Sequence, residues 1–254
     1  MKSLIRWSTT AALIGTTLAG SLFTGALQAL ALPKEELLKA LRPVPMFTIA
    51  NADGAPLVAS PQKGQTGNPV AGVFISQQDA QTFLNNLKTR NPELAKGVRV
   101  VPVSLAEVYQ INLENKGKKD GLDFAFVPSK QDVTAAQTLL QKSGQKNQFA
   151  GTPLFVARGG PEKGYLTIQQ GDKTVIPMFF KKEELQELMT RFQKQDPKLG
   201  QSLEVQVLNL EGVIEIMRTK DDPQLKQIVL IPPKDSIEFV RSMSKTAPQA
   251  QPKK

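Results

Sequence analysis

Histidine and cysteine are both absent from this chain of 254 residues. Their absence excludes disulfide bonds, zinc–thiolate sites, cysteine nucleophiles and acid–base catalysis by imidazole. Aromatic residues make up only 6% of the chain, with one tryptophan and two tyrosines among them. The side chains that remain for catalysis are carboxylates, lysine, serine, threonine and tyrosine. We therefore expect a protein that is not an enzyme and that uses no cofactor and no metal.

The charge is unbalanced, because 32 Lys and Arg stand against 23 Asp and Glu, giving a net charge of +9. A basic protein can bind nucleic acid, but base stacking needs aromatic side chains interleaved with arginine, and this chain lacks that pattern. We expect no nucleic acid partner and no obligate small molecule. The basic residues are then a solvated surface or a peripheral contact with an acidic membrane.

Residues 1–31 have the pattern of a Sec-type signal peptide. Lys2 and Arg6 precede an apolar stretch, and the segment closes on Ala29-Leu30-Ala31, an A-x-A cleavage pattern. An uncleaved anchor helix is the alternative, since the apolar stretch nearly reaches the length of a membrane span. The A-x-A pattern favours cleavage, and we expect export to the periplasm, with the thylakoid lumen as the other compartment that accepts such a peptide.

An internal repeat organises the rest of the chain. The apolar stripe Ala80, Phe83, Leu84 and Leu87 is matched 105 residues further along by Leu185, Leu188, Met189 and Phe192. A stripe of this spacing is typical of an amphipathic helix. We predict an N-terminal repeat over residues 32–145, a C-terminal repeat over 146–243 and a disordered basic tail over 244–254.

Each repeat shows the same order of elements. Strand patterns around the turn at Asn51 are followed by a helix that begins after Ser76, a strand, and a helix that begins with the capping box Ser104 to Glu107. A further strand and a closing helix complete the unit. The predicted fold class is α+β, with two pseudo-symmetric repeats, each a mixed or antiparallel sheet with flanking helices, forming apolar grooves.

Three patterns could indicate catalysis or metal binding. S-x-x-K begins at Ser60 and at Ser242, but neither serine lies at the start of a helix in a buried cleft, as a serine–lysine nucleophile requires. Carboxylate pairs that could hydrolyse glycosides occur in segments typical of solvated turns. These pairs are Asp120 with Asp123 and Asp221 with Asp222. The acidic turn residue Asp53 fits an Asx turn better than a calcium site. A hydrolase acting through serine and lysine remains the least favoured alternative.

Adjacent apolar residues in the strands raise a different question. Phe179 and Phe180 are consecutive, so in a strand their side chains point to opposite faces of the sheet. Either helices cover both faces, or one face is the floor of an apolar groove that accepts an extended polypeptide. The same alternatives hold for Met46 with Phe47.

Several stretches resemble one protein family. They are VPMFTIANADGAPL, VAGVFISQQDA, VVPVSLAEVYQI, FAFVPS, GTPLFVARGG, GYLTI and VIPMFFKKEELQ. Together they are similar to the Tic family of twenty-two kilodaltons, a component of the chloroplast inner-envelope translocon, and most of all to its cyanobacterial relatives. The resemblance covers the chain from about Val44 to Val240.

The resemblance implies a chaperone-like periplasmic protein that assists protein transport and outer-membrane biogenesis. Its partners would be outer-membrane preproteins and the β-barrel assembly machinery, and the alternative is an adaptor that docks folded envelope components. The family has no catalytic motif to carry over. We place a client-binding groove by position alone, at Phe47, Phe74, Tyr109, Phe155, Tyr165, Phe179 and Phe180.

Overall fold

A computed structural model of the chain describes residues 32–60, 67–118 and 121–246. The helices are α1 (Lys34–Leu41), α2 (Gln77–Arg90), α3 (Pro92–Ala95), α4 (Leu105–Asn115), α5 (Lys130–Lys142), α6 (Lys182–Gln195), α7 (Pro197–Ser202), α8 (Leu210–Thr219) and α9 (Lys234–Thr246). The strands are β1 (Pro45–Ala50), β2 (Val58–Ala59), β3 (Val70–Phe74), β4 (Arg99–Ser104), β5 (Asp123–Val127), β6 (Pro153–Gly159), β7 (Gly164–Tyr165), β8 (Ile168–Gln170), β9 (Lys173–Phe179), β10 (Glu204–Asn209) and β11 (Ile228–Ile231). Two sheets with flanking helices confirm the predicted α+β class.

The chain divides into two compact units, each built on one sheet. The N-sheet unit contains residues 41–129 and 232–246, and the C-sheet unit contains residues 32–40 and 130–231. These units differ from the contiguous stretches 32–145 and 146–243 that the repeat predicted. The difference arises because α5 packs on strands of the second sheet, β6 and β10, whereas α9 packs on β1 of the first sheet and on α2.

Strand pairing in the N-sheet unit joins β1 to β3 and to β4 as antiparallel neighbours and joins β3 to β5 in parallel. Phe47 pairs with Phe74 and with Pro102 across the first two ladders. β2 is a short strand that pairs with the start of β3. The sheet is therefore mixed, with β1 and β3 at its centre.

In the C-sheet unit, β6 pairs antiparallel with β9 and with β10, and β9 pairs parallel with β11. Phe155 pairs with Phe179 and with Val207. The two sheets thus share one strand order and the same directions. The register is also equivalent, since the phenylalanines meet at the same point of each central ladder.

Local capping explains where several helices begin. The Ser76 hydroxyl accepts a hydrogen bond from the Asp79 backbone N–H at the start of α2. At α4 the predicted capping box is present, because Glu107 N–H donates to the Ser104 hydroxyl and the Glu107 carboxylate accepts from the Ser104 backbone N–H. Such a reciprocal cap satisfies two backbone donors that would otherwise be free.

The cores show that some neighbouring apolar residues of the strands are buried together. Met46 and Phe47 are consecutive in β1 and both are fully buried. Phe179 and Phe180 are likewise buried. Met46 and Phe47 are neighbours within β1 and point to opposite faces of the sheet, so both faces are packed there by other elements. Phe179 is the last residue of β9, and Phe180 follows the strand. The alternative in which one face of these pairs forms an open groove floor does not apply at these positions.

One boundary of the prediction was wrong. The closing helix α9 continues to Thr246, so residues 244–246 of the predicted tail are helical. Residues 247–254 lie outside the described residues, as do the predicted signal peptide over 1–31, Lys63 of the first S-x-x-K motif and Asp120. Among the described helices, none combines the length and the apolarity that a membrane span needs.

Candidate functional site

An apolar groove in the N-sheet unit is the candidate site. It encloses about 370 Å³, and every side chain that lines it is apolar. The lining residues are Ile49, Leu57, Val58, Ala59, Val70, Gly72, Phe74, Phe83, Leu87, Leu94 and Val127. They come from β1, β2, β3, β5, the segment before β2, and the helices α2 and α3. This set is called the apolar groove below.

Large apolar side chains at the rim of the apolar groove are exposed to solvent. Phe83 is 44% exposed, Leu94 is 48% exposed and Val58 is 39% exposed. The Phe83 ring still contacts the groove floor, since its centroid lies 5.3 Å from that of Phe74. Exposed apolar side chains that share one concave surface are typical of a site for an apolar ligand.

Alternation along β3 forms the floor of the groove. Val70, Gly72 and Phe74 line the groove, and Ala71 and Val73 between them are fully buried. Gly72 keeps the floor low, because it has no side chain at the centre of the strand. A Cβ atom added there would meet the Val127 side chain at 3.5 Å and the Phe74 ring at 3.7 Å, which is ordinary contact. The depth of the groove therefore depends on this glycine.

The corresponding region of the C-sheet unit is filled. Leu188, 105 residues after Phe83, is only 3% exposed. It packs in one cluster with Phe179, Leu166 and Ile168. Leu166 and Ile168 lie in the β7–β8 segment, which pairs with β6 and β9, and their side chains fill this region. Within the described residues, the open apolar groove thus belongs to the N-sheet unit.

Most of the aromatic residues predicted for the client-binding groove lie in the cores. Phe47, Phe155, Phe179 and Phe180 are at most 5% exposed and line no part of the apolar groove. As folded, they have almost no surface to offer a client. Phe74 is the one member of the predicted set in the groove lining.

The two predicted tyrosines lie elsewhere. Tyr109 is half-buried on α4. Tyr165 is half-buried on β7, where the Arg158 guanidinium carbon lies 5.6 Å from the centroid of its ring in a cation–π contact. Tyr165 also lines a small polar pocket of about 200 Å³ with Glu162 and Lys163. The structure therefore does not bring the seven predicted residues together at one site.

Sequence reasoning missed the rim of the apolar groove. Phe83 and Leu87 were recognised only as members of the α2 stripe, in which Ala80 and Leu84 are the fully buried positions. No sequence pattern indicated Leu94 or Val58 as binding residues. A large aromatic residue at the margin of a helical stripe is the one feature that could have indicated Phe83.

A buried ion pair lies in the C-sheet unit. The Asp132 side chain on α5 is 5% exposed, and its Oδ2 lies 3.2 Å from Nζ of Lys181. Its Oδ1 is buried and accepts no hydrogen bond from the described residues. Burial raises the pKa of Asp132, although the charge of Lys181 and its hydrogen bond act in the opposite direction. This pair connects α5 to the start of α6.

Among the described residues, those that the sequence offered for catalysis or metal binding do not form a common site. The Asn51 Oδ1 accepts hydrogen bonds from the N–H groups of Asp53 and Ala55, which makes this segment an Asx turn as predicted. The Ser242 hydroxyl donates to the Phe239 carbonyl within α9. Across the described ranges, no cluster of three or more carboxylates could hold a metal ion.

A family model described as the Tic22-like family matches residues 6–242. The chain belongs to this family. Protein TIC 22 of the chloroplast of Pisum sativum is 25% identical over 90% of this chain and 84% of its own length. The solved structure of Anabaena Tic22, a protein described with the words protein transport, has a TM-score of 0.73 and 32% identity and covers 83% of this chain and 97% of its own.

A second solved structure agrees in fold. Tic22 from Plasmodium falciparum superposes with a TM-score of 0.66 at 20% identity, covering 82% of this chain and 98% of its own. At that identity the likeness shows the fold alone. The family resemblance inferred from the sequence is thus confirmed, and in this chain the Tic22 fold carries the apolar groove described above.

Proposed function

We propose that this Tic22-family protein is an exported, chaperone-like protein that holds extended or unfolded polypeptides in the apolar groove during their transport. The observation that carries the proposal is the open groove of about 370 Å³ with an entirely apolar lining. An unfolded polypeptide presents apolar side chains in many sequences, and a lining without polar side chains accepts them without selecting one. Weak selectivity is what a protein with many clients needs.

Other observations support the location that we propose. The signal-peptide pattern over residues 1–31 favours export to the periplasm, and the relatives named TIC 22 are chloroplast proteins. The Anabaena relative is described as a protein of protein transport. We propose, as the family resemblance implies, that the clients are outer-membrane preproteins delivered to the β-barrel assembly machinery.

A test of the proposal compares variants in suppression of aggregation of a chemically unfolded outer-membrane protein. Phe83→Ser removes the exposed aromatic side chain at the rim, and Gly72→Val fills the floor. Both should lower the suppression several-fold, because each removes apolar contact area. The Cβ of Gly72→Val meets only ordinary contacts and a β-branched residue suits a strand, and circular dichroism checks that the variant retains the fold.

Two controls make this test specific. Ile216→Ser removes a side chain of similar exposure, 48%, from α8 of the C-sheet unit, and should leave suppression unchanged. Gly72→Ala adds only the Cβ and should have a small effect. Equal loss of suppression in Phe83→Ser and Ile216→Ser would contradict a groove-specific site.

The adaptor alternative predicts a different pattern. An adaptor would bind the folded assembly machinery and leave the aggregation of unfolded clients unchanged at equimolar concentration. Wild-type protein without any suppression would therefore refute the proposed holding function. A pull-down of folded assembly components by that same protein would assign the adaptor role.

A further inference from the structure

A second groove in the N-sheet unit has a different chemical character. It encloses about 380 Å³ beside α9, at the points where β1 begins and β4 ends. One wall consists of Pro43, Pro45 and Pro102, and α9 contributes Ile237 and Val240. Proline has no backbone N–H, so this wall is apolar and lacks hydrogen-bond donors. We call this surface the proline groove.

Two arginines line the proline groove, Arg42 and Arg241. Both are exposed, and neither forms a salt bridge with a carboxylate of the described residues. The acidic residue of the groove, Glu107, is already engaged, because its Oε2 accepts hydrogen bonds from the backbone N–H and the hydroxyl of Ser104. The groove therefore has a net positive charge, with two guanidinium groups available to an anion.

Sequence correspondence relates α9 to α5. The segment V-P-S-K at 127–130 leads into α5, and the segment I-P-P-K at 231–234 leads into α9. Both segments begin at the last residue of a strand that pairs in parallel with a central strand of its sheet. The spacing of 104 residues between the segments makes Gln137 of α5 the counterpart of Arg241 of α9.

Gln137 binds a backbone segment in the C-sheet unit. Its side-chain oxygen accepts a hydrogen bond of 2.7 Å from the Phe149 N–H, and its side-chain nitrogen donates one of 3.3 Å to the Asn147 carbonyl. The Phe149 side chain packs against the core cluster beside it. This position on the closing helix thus holds an irregular polypeptide segment with an apolar side chain. In the N-sheet unit the same position carries an arginine that faces the proline groove.

We propose that the proline groove binds an extended segment of another polypeptide in which a glutamate or aspartate stands next to an apolar residue. The apolar side chain lies against the three prolines and Val240, and the carboxylate lies between Arg42 and Arg241. Charge complementarity selects this occupant, because an entirely apolar segment would leave both guanidinium groups unused. This inference goes beyond the proposed function, since binding of an acidic segment requires neither an unfolded client nor the apolar groove.

Fluorescence anisotropy on the chain over residues 32–254 tests the proposal. The probe is a labelled peptide Gly-Ser-Leu-Glu-Phe-Leu-Ser-Gly, and its matched partner has Gln in place of Glu. We expect the Glu peptide to bind about fivefold to tenfold more tightly than the Gln peptide, because two exposed ion pairs are involved. Added salt should weaken only the Glu peptide.

Arginine variants locate the binding. Arg241→Gln introduces the residue that α5 has at the corresponding position, and Arg42→Gln removes the second charge. Each should weaken the Glu peptide about twofold to fivefold and leave the Gln peptide unchanged. The control Arg191→Gln removes an exposed arginine of α6 in the C-sheet unit and should have no effect.

Three outcomes would overturn the proposal. Equal affinity for the two peptides would show that the carboxylate is not recognised. Unchanged affinity in both arginine variants would place the peptide elsewhere. Binding of anionic phospholipid vesicles, but not of the Glu peptide, that depends on Arg42 and Arg241 would assign these cations to lipid head groups. Suppression of client aggregation reports separately on the apolar groove, so failure of one proposal leaves the other measurable.

Discussion

At the scale of single residues, Asp132 is a charged group whose burial is only partly compensated. Its carboxylate has one ion pair, to Lys181, and one buried oxygen without a hydrogen-bond partner in the described chain. Removing a carboxylate from water disfavours its charged form, and here this cost outweighs the attraction of Lys181, so the pKa is raised. The folded protein therefore binds this proton more tightly than the unfolded chain.

The sign of the pH dependence follows from this shift. Stability contributed by the protonated Asp132 is present below the ordinary aspartate pKa of about 3.9 and is lost as the pH rises through the raised pKa of the folded state. Asp132→Asn keeps the shape but cannot ionise. We expect the free energy of unfolding of the variant, relative to wild type, to increase as the pH rises above about 4.

Denaturant unfolding at several pH values between about 4 and 8 measures this difference. Asp221→Asn replaces an exposed aspartate that forms no salt bridge with the described residues, and serves as the control. A relative stability of Asp132→Asn that falls with rising pH would show that the ion pair with Lys181 outweighs the cost of burial.

At the scale of elements, α9 belongs to the N-sheet unit but is separated from the rest of that unit along the chain by residues 130–231. Phe239 packs edge-on against Phe47 of β1, with ring centroids 5.7 Å apart. Ser236 is fully buried, accepts a hydrogen bond from the Gln77 N–H and donates one to the Ile75 carbonyl. One turn of α9 thus holds both the sheet and the start of α2.

Phe239→Ala should destabilise the N-sheet unit by about 2 kcal/mol, because the side chain is half-buried and the ring pair is lost. Ser236→Ala should cost about 1 kcal/mol, since it leaves the Gln77 N–H unpaired. Hydrogen exchange of the β1 amides is the measurement, and both variants should accelerate it. Glu238→Ala, at an exposed position of the same helix, should leave β1 exchange unchanged. Slow β1 exchange in Phe239→Ala would refute the role of α9.

At the scale of the whole molecule, each compact unit is built from two separate stretches of chain. The chain passes between the units after residues 40, 129 and 231. A fragment that follows the sequence repeat, residues 32–145, contains α5 without β6 and β10, on which α5 packs, and lacks α9. Such a fragment exposes the Phe47 surface that Phe239 covers in the full chain.

We therefore expect residues 32–145 alone to show no cooperative thermal transition. A fusion of this fragment to residues 232–246 through a flexible Gly/Ser linker should regain one, because α9 can then cover β1. Circular dichroism on heating distinguishes the two proteins. Cooperative melting of 32–145 at the same temperature as the fusion would show that α9 is dispensable for this unit.

Prediction from the sequence succeeded where the signals were local. The helix after Ser76, the capping box from Ser104 to Glu107 and the Asx turn at Asn51 depend on residues within four positions of each other, and all three are present. The residues of the apolar groove could not be identified from such local patterns. Phe47, Phe155 and Phe179 are aromatic, as residues of binding surfaces often are. Whether other elements bury such a side chain depends on parts of the chain that are far away in sequence.

The amino-acid sequence by itself determined the α+β class, the starts of α2 and α4 and membership of the Tic22-like family, because these depend on local periodicity and on residue identity. Tertiary structure alone decided which closing helix covers which sheet, and which sheet stays partly open. Phe83 and Leu188 occupy corresponding positions of α2 and α6, yet one is 44% exposed and the other 3%. The physical reason is long-range packing: Leu166 and Ile168 fill the C-sheet region, whereas the corresponding N-sheet surface remains an open apolar groove.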